Sequence, residues 1–248
     1  MCSIIILRRP GHPWPLIVAA NRDEMTDRPW NPPARHWDDR PDVTAGRDQL
    51  AGGSWLGRND YGVFAAILNR EGSLGPSTGK RSRGELVLEA LDHADADSAA
   101  EALGQIDVHA YRSFNLVVGD NTNVFHIANR AQAEQIAVEE VPEGLSMLTS
   151  QEINDRRNAR IDAFLSQFEA ADIPDPDSAD WSAWRDLLAD ETCDSAIGPS
   201  SAMCISSDWG FGTVSSTLLA MPRPGAENPA GIYLFAAGRP DRTEYLPV

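Results

Sequence analysis

Apolar positions in this chain fall into short runs, and their spacing alternates between strand-like and helix-like periods. Residues 3–7 hold Ile4, Ile5 and Ile6 in succession, the β-branched composition of a buried strand. Residues 15–20 form a second apolar run. Residues 8–14, with Pro10, Gly11 and Pro13, read as the turn that folds it back antiparallel. A long stretch to about residue 54 shows no clear period, is broken by Pro29, Pro32, Pro33 and Pro41, and reads as an irregular loop. Residues 62–69 return to a buried-strand pattern. Residues 82–92 and 96–106 have helical spacing, and Ser82 and Glu85 stand where a reciprocal capping box would open the first of these helices. Strands are predicted over 114–119, 124–128, 135–141 and 145–150. A helix is expected from Asn154 or Asp155 to about residue 168, and another over 178–189. The chain then returns to strands at 202–206, 212–221 and 231–237, with a short edge strand in its final segment. This order predicts an α+β protein in which two antiparallel sheets carry helices outside. No compositional break divides it, so one domain over 1–248 is expected.

Charge narrows the partners. Acidic residues number 37 against 21 basic ones, for a net charge of −16, with Lys80 the only lysine. Such a surface repels phosphate backbones and anionic lipid, which argues against nucleic-acid binding or peripheral membrane attachment. No run approaches the roughly 18 apolar residues that span a bilayer, and no signal peptide is visible, so a soluble cytoplasmic protein is expected. Cys2, Cys193 and Cys204 are too few for a disulfide framework and are expected as free thiols. The five histidines show no ligand spacing, so no metal is expected.

The candidate chemistry gathers at the amino terminus. Once Met1 is removed, Cys2 carries both a thiol nucleophile and an α-amine of pKa roughly 7.7–8.0, a base for neutral pH. A retained Met1 would move that amine one residue away. The predicted hairpin returns Arg22 and Asp23 towards Cys2, the cation favouring thiolate and the carboxylate able to orient an ammonium. The plainer reading is a buried thiol beside a structural ion pair. Asn69, ending its strand, is an oxyanion-donor candidate or simply opens the next turn. Trp30, Trp37 and Trp55 either wall an apolar pocket or pin the long loop to the core. Ser215, Ser216 and Thr217 set three hydroxyls at the start of a strand, for a substrate carbonyl or for cross-strand pairing.

Met1-Cys2, Asn21-Arg22-Asp23-Glu24, Gly52-Gly53-Ser54-Trp55-Leu56-Gly57, Ser82-Arg83-Gly84 and Gly212-Thr213-Val214-Ser215-Ser216-Thr217 occur in this order. Together they resemble the NRDE family, also called the Transport and Golgi organisation 2 family, over essentially the whole chain. The resemblance implies kinship with N-terminal nucleophile hydrolases, a four-layer αββα sandwich whose first residue attacks an amide. Family members often carry Ser-Asn where this chain has Thr149-Ser150, and Gly-Thr-Arg-Ser where it has Gly212-Thr213-Val214-Ser215. Related cysteine-type hydrolases use an Asn for the oxyanion and a second Arg near the nucleophile. Ser150 can donate a hydrogen bond, whereas Val214 cannot replace a cation.

Two functions follow. One is a cysteine amidohydrolase acting on a non-peptide carbon–nitrogen bond of a small amide, with Cys2, Arg22, Asp23 and Asn69 catalytic. Asn21, Glu24, Trp30, Trp55, Ser150 and Ser215 would contact its substrate, and no cofactor is required. The other is a non-catalytic haem- or lipid-handling protein using the same pocket, in which haem is a ligand that the Cys2 thiolate could hold.

Overall fold

A computed structural model describes residues 2–226 and 231–248. Its contacts divide the chain into two compact units, one made of Met1–Arg28, Pro142–Pro222 and Gly231–Val248, the other of Pro29–Val141 and Arg223–Ala230.

The first unit is built on β1 (Ser3–Arg8) and β2 (Leu16–Met25), paired antiparallel from Ser3–Asn21 to Arg8–Leu16. The second unit supplies β3 (Trp30–Ala34), β4 (Val43–Asp48), β5 (Leu56–Asn59), β6 (Phe64–Asn69), α1 (Gly84–Leu91), α2 (Ala96–Gly104), β7 (Phe114–Gly119), β8 (Val124–Asn129) and β9 (Ala137–Glu140). The chain then re-enters the first unit with β10 (Gly144–Leu148), α3 (Ala159–Ala170), α4 (Ser182–Leu188), β11 (Phe211–Met221), β12 (Ile232–Ala236) and β13 (Leu246–Pro247). Among the described residues the first unit's sheet runs β10-β1-β2-β11-β12-β13 and the second unit's β3-β4-β5-β6-β7-β8-β9, all neighbours antiparallel.

One face of the first sheet packs on its helices. Ile5, Ile17, Ala19, Met147, Leu218 and Ala236 form a core there with Phe164, Phe168, Trp181 and Trp184. The rings of Phe168 and Trp184 meet edge to face at 5.6 Å, a favoured aromatic geometry. In the second unit Leu86, Ala90, Ala99 and Leu103 of α1 and α2 cover Ala65, Leu116, Val118 and Ile127.

Several expectations change, among them the helix expected from Asn154 or Asp155, which opens at Ala159 behind the cap Asn158. β2 does not stop at Ala20 but runs to Met25, because β11 pairs with it along its whole length. The stretch expected as a loop holds β3 and β4, with Pro32 and Pro33 in β3, which ends its sheet and needs fewer backbone donors. No capping box forms at α1: Arg83 takes the cap position without a side-chain capping bond, Ser82 Oγ accepts from Gly84 N at 3.3 Å, and Glu85 pairs with Arg81 at 2.8 Å. Residues 202–206 are not a strand, although Ile205 O accepts from Thr213 N at 3.0 Å.

Candidate active site

Cys2 stands just before β1, and Ser3 already pairs with Asn21. Side chains alternate along strands, so Cys2 and Arg22 share one face while Ser3, Asn21 and Asp23 share the other. The contacts of the second group agree. Asn21 Nδ2 donates to Leu188 O and Met203 O at 2.9 and 3.0 Å, tying β2 to the end of α4. The Asp23 carboxylate accepts from Thr213 Oγ1 at 2.7 Å and from Arg160 Nη1 at 2.8 Å. Both members of this ion pair are inaccessible, with side chains 0% exposed for Asp23 and 2% for Arg160. What reaches the thiol from Asp23 is its main-chain carbonyl, 3.7 Å from Cys2 Sγ.

A β-bulge decides what faces Arg22. Asp23 pairs with Thr213 and Arg22 with Ser215, leaving Val214 as the extra residue. In a regular strand Thr213 and Ser215, two residues apart, would point the same way. The inserted residue sends Thr213 to Asp23 and Ser215 to the opposite face, the re-aiming that bulges produce. Val214 therefore occupies the position where an Arg is expected and contributes the bulge instead. Ser215 is 1% exposed, and its Oγ finds no protein hydrogen-bond partner among the described residues.

Electrostatics oppose the thiolate in this state. Burial, then the negative charge of Asp23, push the Cys2 thiol above its ordinary pKa, while Arg22 pulls it down. Cys204 is no rival nucleophile: it is fully buried, and burial with the adjacent Asp241 pushes it up to about 12.

The remaining candidates fall in both units. Ser150 is buried two residues beyond Leu148, the partner of Ile4. Glu24 is half-buried and lies 3.9 Å from Arg22 and 3.8 Å from Arg28. Asn69, Trp30 and Trp55 belong to the second unit. There Asn69 ends β6 opposite Phe114, and the Trp30 and Trp55 rings pack edge to face at 5.7 Å. Met1 lies outside the described residues. Arg160 escaped the sequence reading, because a lone Arg opening a helix gives no sign of a partner 137 residues earlier.

The description "Transport and Golgi organisation 2" matches residues 1–227. The chain belongs to this family. The Transport and Golgi organization 2 homolog of Mus musculus is 34% identical over 143 residues, which cover 53% of this chain and 50% of the relative. The chain thus spans about half the length of the curated relatives it matches. A Caenorhabditis elegans N-acylethanolamine-hydrolyzing acid amidase ortholog superposes with a TM-score of 0.61 at 16% identity, covering 99% of this chain and 100% of that one. A mutant conjugated bile acid hydrolase from Clostridium perfringens gives 0.53 at 13% identity, covering 100% and 96%. This family member shares with these neighbours an α+β fold of two antiparallel sheets with helices. No described helix is long and apolar enough to cross a membrane.

Proposed function

We propose that this family member is a cysteine amidohydrolase for a non-peptide carbon–nitrogen bond of a small amide. Cys2, made the first residue by loss of Met1, is its nucleophile. The observation that carries the reading is the orphan hydroxyl of Ser215. A buried hydroxyl without a partner costs about 1–3 kcal/mol, and this one, paired across the sheet with Arg22 on the thiol's face, supports the reading as a free donor for a ligand oxygen. The fold supports the same reading, since the neighbours are named as an acid amidase and a bile acid hydrolase.

The residues divide the work as follows. Arg22 favours ionisation of the thiol. Cys2 Sγ attacks the acyl carbon, and the carbonyl electron pair moves onto oxygen, where Ser215 donates a hydrogen bond. The α-ammonium protonates the leaving amine as the carbon–nitrogen bond breaks, leaving a thioester. Water, deprotonated by the same amine, then cleaves the sulfur–carbon bond and releases the acid.

Intact mass of the purified protein comes first, followed by wild type against Cys2→Ala on a panel of small amides. The mass should lack Met1 and Cys2→Ala should fall to background; retained Met1 or equal turnover ends the proposal. Ser215→Ala should lose about 10²–10³-fold in kcat, the usual cost of one oxyanion donor, while its Tm rises because a buried unsatisfied group has gone. A fall in both would reduce Ser215 to scaffold.

The departures at Ser150 and Val214 support a second reading, a haem- or lipid-handling protein without catalysis. Haemin titration separates the two. A saturable absorbance shift in wild type that Cys2→Ala abolishes supports thiolate-ligated haem, and no shift rejects it.

A further inference from the structure

Arg160 occupies a position that stability alone does not explain. It is the second residue of α3, whose cap, Asn158 Oδ1, accepts from Arg160 N at 3.1 Å and Ile161 N at 3.3 Å. A cation in the first turn of a helix opposes the helix dipole, and a fully buried ion pair seldom stabilises more than apolar residues of the same volume. Yet the guanidinium is held from several sides. Nη1 donates to Asp23 Oδ2 at 2.8 Å and lies 3.5 Å from Ser3 Oγ, and Nη2 donates to Ser200 O at 3.3 Å. Ser3 is the residue after the nucleophile, and Asp23 is the residue whose carbonyl meets the thiol. Among the described residues, the charged side chains that bear on the thiol are Arg22 and Asp23 on β2, with Arg160 on α3 reaching it through Asp23 and Glu24 through its pairing with Arg22.

We propose that Arg160 is the positioning residue of the Cys2 site, fixing Asp23 behind the thiol and balancing its charge there. The inference rests on the nucleophile reading of Cys2 but not on any substrate. Without the guanidinium, Asp23 would present an unbalanced negative charge to a thiol that must itself become negative. With it, part of that charge is offset, and Arg22 on the thiol's own face lowers the thiol pKa further. The second Arg missing at Val214 thus has a counterpart on the opposite face of the sheet, acting through Asp23 instead of through substrate.

The test is the pH dependence of Cys2 alkylation by iodoacetamide, read by peptide mass mapping so that Cys193 and Cys204 do not contribute. Arg160→Gln should move the midpoint up by about 1 pH unit, and Arg160→Lys should restore it to near the wild-type value. Asp23→Asn should move it down by a similar amount, and the double variant Asp23→Asn/Arg160→Gln should return it. A residue that merely held the fold would not produce shifts of opposite sign. If Arg160→Gln does not fold, Asp23→Asn and the double variant still decide. One midpoint shared by wild type and both of them overturns the proposal. Alkylation needs no turnover, so opposite shifts without amidase activity would refute the enzyme while leaving Arg160 its role. Turnover with an unmoved midpoint would do the reverse.

Discussion

Replacing Asp23 by Leu should destabilise the protein by about 3–5 kcal/mol, measured by urea denaturation. The size follows from what remains. Arg160 would keep its charge with a side chain only 2% exposed, and Thr213 Oγ1 would lose its acceptor. Since domains are typically stable by about 5–15 kcal/mol, the loss would take a third or more of the total. The double variant Asp23→Leu/Arg160→Met should recover much of it, because the uncompensated charge disappears along with its partner. If the double variant is as unstable as the single, lost packing accounts for the effect and the ion pair does not.

Trp184→Ala should cost a similar amount, about 3–5 kcal/mol, for a different reason. Trp184 is fully buried between α4 and the sheet of the first unit and makes the edge-to-face contact with Phe168. A double-mutant cycle with Phe168→Leu should give a coupling of about 0.5–1.5 kcal/mol. A coupling near zero would mean that only volume matters at this contact.

Legibility of the chain in its sequence followed where the energy resides. β1 was readable because Ile4, Ile5 and Ile6 are apolar and lie inside, and β7 was readable end to end for the same reason. β2 was readable only to Ala20. Asn21, Arg22 and Asp23 are polar, yet they continue the strand because β11, nearly 200 residues later, supplies their pairing and their hydrogen bonds. The prolines of β3 hid a strand whose outer side needs no donors. At the site, Cys2 and Arg22 could be placed by the hairpin alone. The division of Asp23 from Arg22 across the sheet, the bulge at Val214 and the part of Arg160 all depend on register with distant segments, which no local pattern encodes.

The flanks of the seven-stranded sheet have a bearing on behaviour in crowded solution. At one side β3 carries Pro32 and Pro33, which have no amide hydrogen to give a newcomer. At the other, β9 displays Glu139 and Glu140, both exposed, on a chain already at −16. A second molecule trying to extend this ladder would find missing donors on one side and like charge on the other, so fibril growth by strand addition is discouraged at both.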